Sequence, residues 1–166
     1  MTPDLFNTYA RCNTWMNSKV YAVCADIPDE TRREDRGAFF KSIHGTLNHL
    51  MFGDMAWMNR LAGTEFNVAQ TDEILFEDFD DLRAAREDLD AQITDWAATL
   101  SPEWLDEVLT WTSGADGIER ATPQWQLALH MFNHQTHHRG QLTTLLTQMG
   151  YDVGVTDMPR LEAVKS

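Results

Sequence analysis

The chain has 166 residues, 43% of them hydrophobic, and a formal net charge of −13. This length is enough for one domain with its own hydrophobic core, so we expect a single domain over residues 1–166. Because its 13 basic residues are scattered and no apolar run reaches about 18 residues, the chain is expected to bind neither nucleic acid nor membrane.

The amino terminus, Met-Thr-Pro-Asp-Leu-Phe, has neither the basic region nor the cleavage site of a secretory signal peptide. We therefore expect a cytoplasmic protein in which Cys12 and Cys24 are reduced and buried. The first helix is predicted to begin after Thr2 as its N-cap and to be stopped by Pro28. A polar linker over residues 29–36 follows.

A second helix is predicted from about Gly37 to Leu61, and it is apolar around most of its circumference. Since a helix buried on one face should have a polar back, we expect part of this surface to contact a second subunit in a homodimer. The helix carries His44 and His49, and its period does not choose between them as inward residues. Asp54 is an oxygen donor on the same helix, although a packing role explains it equally well.

The remaining elements are a third helix over residues 79–100, two short strands at residues 109–112 and 118–121, and a last helix. The strands flank a predicted turn at Gly114–Gly117. Thr122 is the predicted N-cap of the last helix, which ends just before Gly150. Long helices joined by moderate loops indicate an all-α four-helix bundle with a short two-stranded excursion before the last helix.

Two histidines one helical turn apart, His134 and His138, lie in this last helix. A four-residue step places both side chains on one face, with Cβ atoms roughly 5–6 Å apart. At about 100° per residue, both fall within the apolar stripe, whereas His130 and His137 fall on its flanks. The pair is therefore predicted to point into the bundle.

Burying polar groups costs on the order of 1–3 kcal/mol each unless they find partners. A shared zinc or nickel ion would satisfy both imidazoles, and the second helix offers a third ligand in His44 or His49. No Glu stands beside the pair, which excludes a protease of the H-E-x-x-H type. The alternative to a metal is a polar core network that includes Asn48, Asn133 or Gln141.

The sequence resembles the DinB/YfiT-like family of metal-dependent bacterial proteins over most of its length. Three segments carry the resemblance: His44-Gly-Thr-Leu-Asn-His49 with Asp54, Trp57 and Arg60-Leu61; Asn133-His134-x-x-His137-His138-Arg139-Gly140-Gln141; and Gly154-Val-Thr-Asp-Met-Pro. The family name refers to damage-inducible expression rather than to a reaction.

The resemblance implies an up-down-down-up bundle, often dimeric, with one divalent ion held by one histidine of the second helix and two of the last. These positions map onto His49, His134 and His138, so the resemblance selects His49 over His44. Further side chains expected around the ion, as supporting or pocket-lining groups, are Asp54, Trp57, His130, His137, Arg139 and Gln141.

Three details of these surroundings have alternative interpretations. For Arg139 an ion pair on the helix surface is favoured over an anchor for a substrate anion. Trp57 and Trp111 are either core residues or part of a pocket wall, and the segment 151–158 is a candidate lid over the metal.

Two functions remain. The first is a metal-dependent enzyme, either a hydrolase or a transferase that uses a low-molecular-weight thiol, acting on a small molecule. The second is a non-enzymatic, metal-binding stress-response protein with a structural ion. Three protein ligands favour the enzyme, because structural zinc sites are usually closed by four.

Overall fold

The computed structural model describes residues 1–64, 74–113 and 116–165, which form a mainly helical structure with one small antiparallel sheet. Within these residues no helix combines the length and the apolar character needed to cross a bilayer. The elements in chain order are α1 (Pro3–Ala25), α2 (Asp29–Arg33), α3 (Ile43–Leu61), α4 (Phe79–Thr99), α5 (Pro102–Asp106), β1 (Val108–Thr112), β2 (Glu119–Pro123), α6 (Gln124–Gln148) and a 3₁₀ helix (Met158–Lys165).

The four long helices α1, α3, α4 and α6 form a bundle, and contacts between their side chains fix the direction of each helix. The contacts are Tyr21–Phe79 and Thr14–Thr94 between α1 and α4, Tyr9–Phe132 and Asn17–Arg139 between α1 and α6, and His49–His138 and Trp57–His130 between α3 and α6. Helix α1 is therefore parallel to α6 and antiparallel to α4, while α3 is antiparallel to α6. The predicted up-down-down-up bundle is confirmed.

This topology makes α3 and α4 parallel, so the chain between them must travel back along the bundle. The connection covers residues 62–78, of which 65–73 lie outside the described residues. At its end, Phe76 accepts hydrogen bonds through its carbonyl from the side chains of His44 and Asn48 and donates its backbone N–H to Asn48. The returning chain is thereby attached to the start of α3.

The second bundle helix begins at Ile43, six residues later than the predicted Gly37. Before it, Gly37 and Lys41 have positive φ angles of 71° and 65°, which a continuous helix cannot contain. Ser42 is the N-cap and accepts a hydrogen bond from the Gly45 amide. The predicted polar linker also differs, because its first part forms the short helix α2.

The two-stranded excursion is confirmed, with β1 and β2 paired so that Trp111 lies opposite Arg120. Half of the predicted turn, residues 114–115, lies outside the described residues. Thr122 belongs to β2 rather than capping α6, and its hydroxyl accepts a hydrogen bond from Trp111 Nε1. Both cysteines, Cys12 and Cys24, lie buried and unpaired, with thiol pKa values raised by burial.

The middle of the bundle contains a buried charged group as well as apolar side chains. Arg86 of α4, 2% exposed, forms ion pairs with Asp54 of α3 at 2.6 Å and with Asp90 at 2.8 Å. The amides of Asn13 and Asn17 donate to Asp90. The arginine and its partners thus connect α1, α3 and α4 through the core.

Candidate metal centre

Helices α3 and α6 lie side by side and antiparallel, so that their facing side chains form successive levels. From the start of α3, these levels are His49 with His138, Gly53 with His134, and Trp57 with His130. Each step is four residues on either helix, which keeps every member on one face.

The imidazoles of His49, His134 and His138 converge between the two helices. His49 Nε2 lies 3.1 Å from His134 Nε2 and 3.2 Å from His138 Nε2. Two nitrogens bonded to one tetrahedral zinc ion at about 2.0–2.1 Å would be about 3.3 Å apart. The observed separations are close to that value, so the donor set fits a single small divalent ion.

The protonation of these rings favours metal binding. Burial, together with the neighbouring charges of His138 and His49, lowers the pKa of His134 to about 3. Burial also lowers the pKa of His138. At neutral pH both rings are therefore uncharged and offer the lone pair that a metal ion requires.

Gln141 orients one of the three rings. His138 Nδ1 lies 2.8 Å from Gln141 Oε1, which is an acceptor, so Nδ1 carries the proton and Nε2 keeps its lone pair. The Gln141 amide in turn donates to Nε2 of the exposed His137 at 3.3 Å. A metal-ligating histidine commonly has such a partner on its second nitrogen.

Gly53 makes room for the ring of His134. A Cβ atom at residue 53 would lie 2.5 Å from His134 Cε1, a distance that real side chains do not reach. A glycine one turn after His49 leaves space between the two helices. In the structure the imidazole of His134 fills that space.

We expect Gly53→Ala to weaken metal binding by at least about 10-fold, the effect seen when a ligand loses its support. The added methyl group must displace the His134 ring. Gly140→Ala is the matched control on α6, since a Cβ there would meet nothing within 4 Å. Titration against a chelator of known affinity measures both variants, and parental affinity in Gly53→Ala would show that the ring position is not required.

The structure shows which histidine of α3 faces the last helix, a choice between His44 and His49 that the helical period left open. His44 is 1% exposed, and its Nε2 bonds to the carbonyl of Phe76 at 2.9 Å. Asn48 also contacts this nitrogen. His44 therefore holds the returning chain, as a core histidine, while His49 faces α6.

Phe40 covers the cluster from the segment before α3, a contact that the sequence did not predict. Its ring stacks on His49 with centroids 3.7 Å apart and meets His138 edge-on at 5.5 Å. The Phe40 carbonyl would lie 2.3 Å from a Cβ at residue 45, so the close approach of this loop requires Gly45. The adjacent Phe39 is 84% exposed.

The structure places the other expected side chains in varied surroundings. His130 and His137 are exposed at the edges of the cluster, as the helical wheel predicted. Asp54 forms an ion pair with Arg86. In the described part of the chain, the group that could hold an ion consists of the three histidines and does not include Asp54. Asn133 of the alternative polar network is exposed.

The interpretation of Arg139 as an ion-pairing residue on the helix surface is wrong. Its guanidinium is buried and donates to the side-chain oxygens of Asn13 and Asn17. Residue 139 lies about 140° from His134 around the helix, on the side that packs against α1. Helix α6 is therefore buried on two sides, which a single apolar stripe did not indicate.

The segment 151–158 packs on α1 rather than on the α3 face of α6. Lys19 of α1 donates to the carbonyl of Val155. The 3₁₀ helix that follows this segment also packs against α1. The segment was expected to form a lid over the histidines, but its contacts are with α1.

Arg86 and Asp90 were not predicted from the sequence to be members of a buried charged group. The two lie four residues apart on α4, and this spacing places both on one helix face. Their position between inward-facing Leu82, Leu89 and Ile93 was the signal that could have identified them.

The model of the DinB family matches residues 1–165. The chain is 27% identical to the protein DinB of Bacillus subtilis strain 168 over 152 residues, which is 87% of this chain and 86% of that protein.

Two solved structures share the fold. YfiT from Bacillus subtilis, described as a probable metal-dependent hydrolase with an unusual four-helix bundle topology, matches with a TM-score of 0.63 at 14% identity over 92% of this chain and 91% of its own. A DinB-like protein from Bacillus cereus ATCC 10987 matches with a TM-score of 0.60 at 18% identity over 86% of this chain and 91% of its own.

Proposed function

The chain belongs to the DinB family, and we propose that it is a metal-dependent hydrolase that holds one zinc or nickel ion through His49, His134 and His138 and acts on a small molecule. The observation that carries this proposal is the convergence of the three imidazoles, with His49 Nε2 3.1 and 3.2 Å from the other two Nε2 atoms. The ion would supply Lewis-acid activation of a water or a thiol at a coordination position left open by the protein.

The number of ligands supports an enzyme rather than a structural ion. Among the described residues, the group that could hold a metal consists of three histidines and contains no Cys, Asp or Glu. Structural zinc sites are usually closed by four protein ligands, whereas catalytic sites keep a position for water or substrate.

The protein's own side chains prepare the site in the absence of substrate. Gln141 keeps the proton of His138 on Nδ1, and Gly53 admits the ring of His134 between the helices. Phe40 covers one face of His49 and so limits the approach of water from that side. Substrate would therefore reach the site from another side of the three histidines.

Hydrolysis is preferred to thiol transfer because YfiT, which shares the fold, is described as a probable metal-dependent hydrolase. A thiol-dependent transferase would use the same three ligands. The two are separated by incubating the metal-loaded protein with ester, amide and electrophilic substrates, with and without low-molecular-weight thiols. Turnover without any thiol supports the hydrolase, and turnover only with a thiol overturns it in favour of the transferase.

We expect removal of the metal with a chelator to leave the bundle folded. The buried apolar core, from Phe6 on α1 to Leu146 on α6, is built independently of the three histidines. The ion should then add only its binding free energy, about 2.7 kcal/mol when free metal is 100-fold above its dissociation constant. Thermal unfolding followed by circular dichroism measures this, and loss of helical structure in the metal-free protein would instead support a structural ion.

A homodimer remains part of the proposal. Several apolar residues on α3 are only half-buried, among them Phe52, Met55 and Met58. Light scattering that gives the mass of a monomer at micromolar concentration would remove this part, leaving the metal site unaffected.

A further inference from the structure

Arg60, near the end of α3, is held between two tryptophans. Its guanidinium carbon lies 4.6 Å from the ring centroid of Trp57 and 4.8 Å from that of Trp111 on β1. The two rings meet edge-on with centroids 5.6 Å apart. The aromatic walls restrict the side chain to a narrow range of positions and attract its charge through their π faces.

This guanidinium has no acidic partner among the described residues, although the chain carries 26 acidic and only 13 basic residues. Arg120 provides the contrast on the other side of the same tryptophan, 5.8 Å from the Trp111 centroid. Asp116 binds Arg120 through both carboxylate oxygens, at 2.9 and 2.6 Å. The charge of Arg120 is therefore compensated, whereas no acidic side chain of the described residues pairs with Arg60.

The arginine lies on the same face of α3 as His49 and Gly53, which face the histidines of α6. The ring centroid of His130 lies 4.8 Å from that of Trp57 and 6.2 Å from that of His134. Arg60 follows Gly53, which faces His134, by seven residues, or about 10 Å along the helix axis.

We propose that Arg60 binds a carboxylate at the far end of the substrate, while the reacting end lies at the three histidines. The planar guanidinium presents paired N–H donors that match a carboxylate, and the tryptophans hold it ready for that contact. The substrate class is then a small anionic molecule whose carboxylate lies about 10 Å from the reacting group. This inference rests on the proposed function for the identity of the reacting end.

The test compares suberate, whose two carboxylates are about 9 Å apart when extended, with octanoate, which has the same chain length and one carboxylate. Calorimetric titration of the zinc-loaded protein should show suberate binding about 10- to 100-fold more tightly, the value of one charge-assisted contact. Arg60→Gln should abolish this difference, and Arg60→Lys should restore part of it. Arg120→Gln, which changes the paired arginine beside the same tryptophan, should retain the full difference.

The same titrations, repeated on protein from which a chelator has removed the metal, distinguish a failure of the metal site from a failure of the Arg60 subsite. If Arg60 binds carboxylates but the histidines hold no metal, both acids bind equally with and without chelator, and Arg60→Gln weakens the binding of both. If the metal site exists but the Arg60 subsite does not, both acids bind the zinc-loaded protein equally, and Arg60→Gln has no effect. The second result, in a variant whose thermal unfolding matches that of the parent, overturns the inference.

Discussion

His138→Ala is expected to lower the affinity of the chain for zinc or nickel by more than about 100-fold, beyond the 10- to 100-fold that loss of a supporting contact usually costs. The substitution removes one of the three converging nitrogens and leaves two, Nε2 of His49 and Nε2 of His134, 3.1 Å apart. Metal content after gel filtration, measured by elemental analysis on protein without a histidine tag, should fall from about one ion per chain to near zero.

His137→Ala is the matched control, because it is the next residue and is also a histidine. It lies exposed and touches the cluster through Gln141 and through an edge-on ring contact with His138. We expect it to retain the ion with less than about a 10-fold change in affinity. If both variants bind metal like the parent, the assignment of His138 as a ligand is wrong.

Arg86→Met is expected to destabilise the fold by about 3–5 kcal/mol, the usual cost of removing one partner from a buried ion pair. The arginine lies between Asp54 and Asp90, which are 1% and 4% exposed. Without it, both buried carboxylates lose their ion-pair partner. The free energy of unfolding, obtained from urea titration of parent and variant, measures the loss of stability. This difference between parent and variant should become smaller at low pH, because protonation neutralises the carboxyls left behind.

Arg83→Ala tests the same residue type on the same helix at the surface. Arg83 pairs with Glu87 at 3.2 Å, and both side chains are exposed. An exposed pair of this kind contributes about 0.5 kcal/mol or less. Equal stability losses in the two variants would show that burial does not determine the contribution of Arg86.

The inward-facing histidines of α6 were predictable because a helix repeats every 3.6 residues. His134 and His138 share the apolar stripe, and His130 and His137 lie beside it, as the wheel indicated. The choice of His49 over His44 was not predictable from the period of α3, since its apolar surface is too broad. That choice depends on Phe76, whose carbonyl binds His44 from 32 residues away in the chain.

Other details depended on contacts between distant segments. The start of α3 at Ile43 reflects a loop that folds back so that Phe40 can cover His49. The burial of Arg139 reflects the packing of α6 against α1, where Asn13 and Asn17 receive its guanidinium. A single helix carries no signal for a polar partner on another, so both features required the folded bundle.

Anomalous diffraction from crystals of zinc-loaded protein tests the central claim most directly. The account predicts one peak between α3 and α6, at about 2.0–2.1 Å from the Nε2 atoms of His49, His134 and His138, with no fourth protein ligand. An empty position, with the three rings turned apart and hydrogen-bonded to other groups, would contradict it.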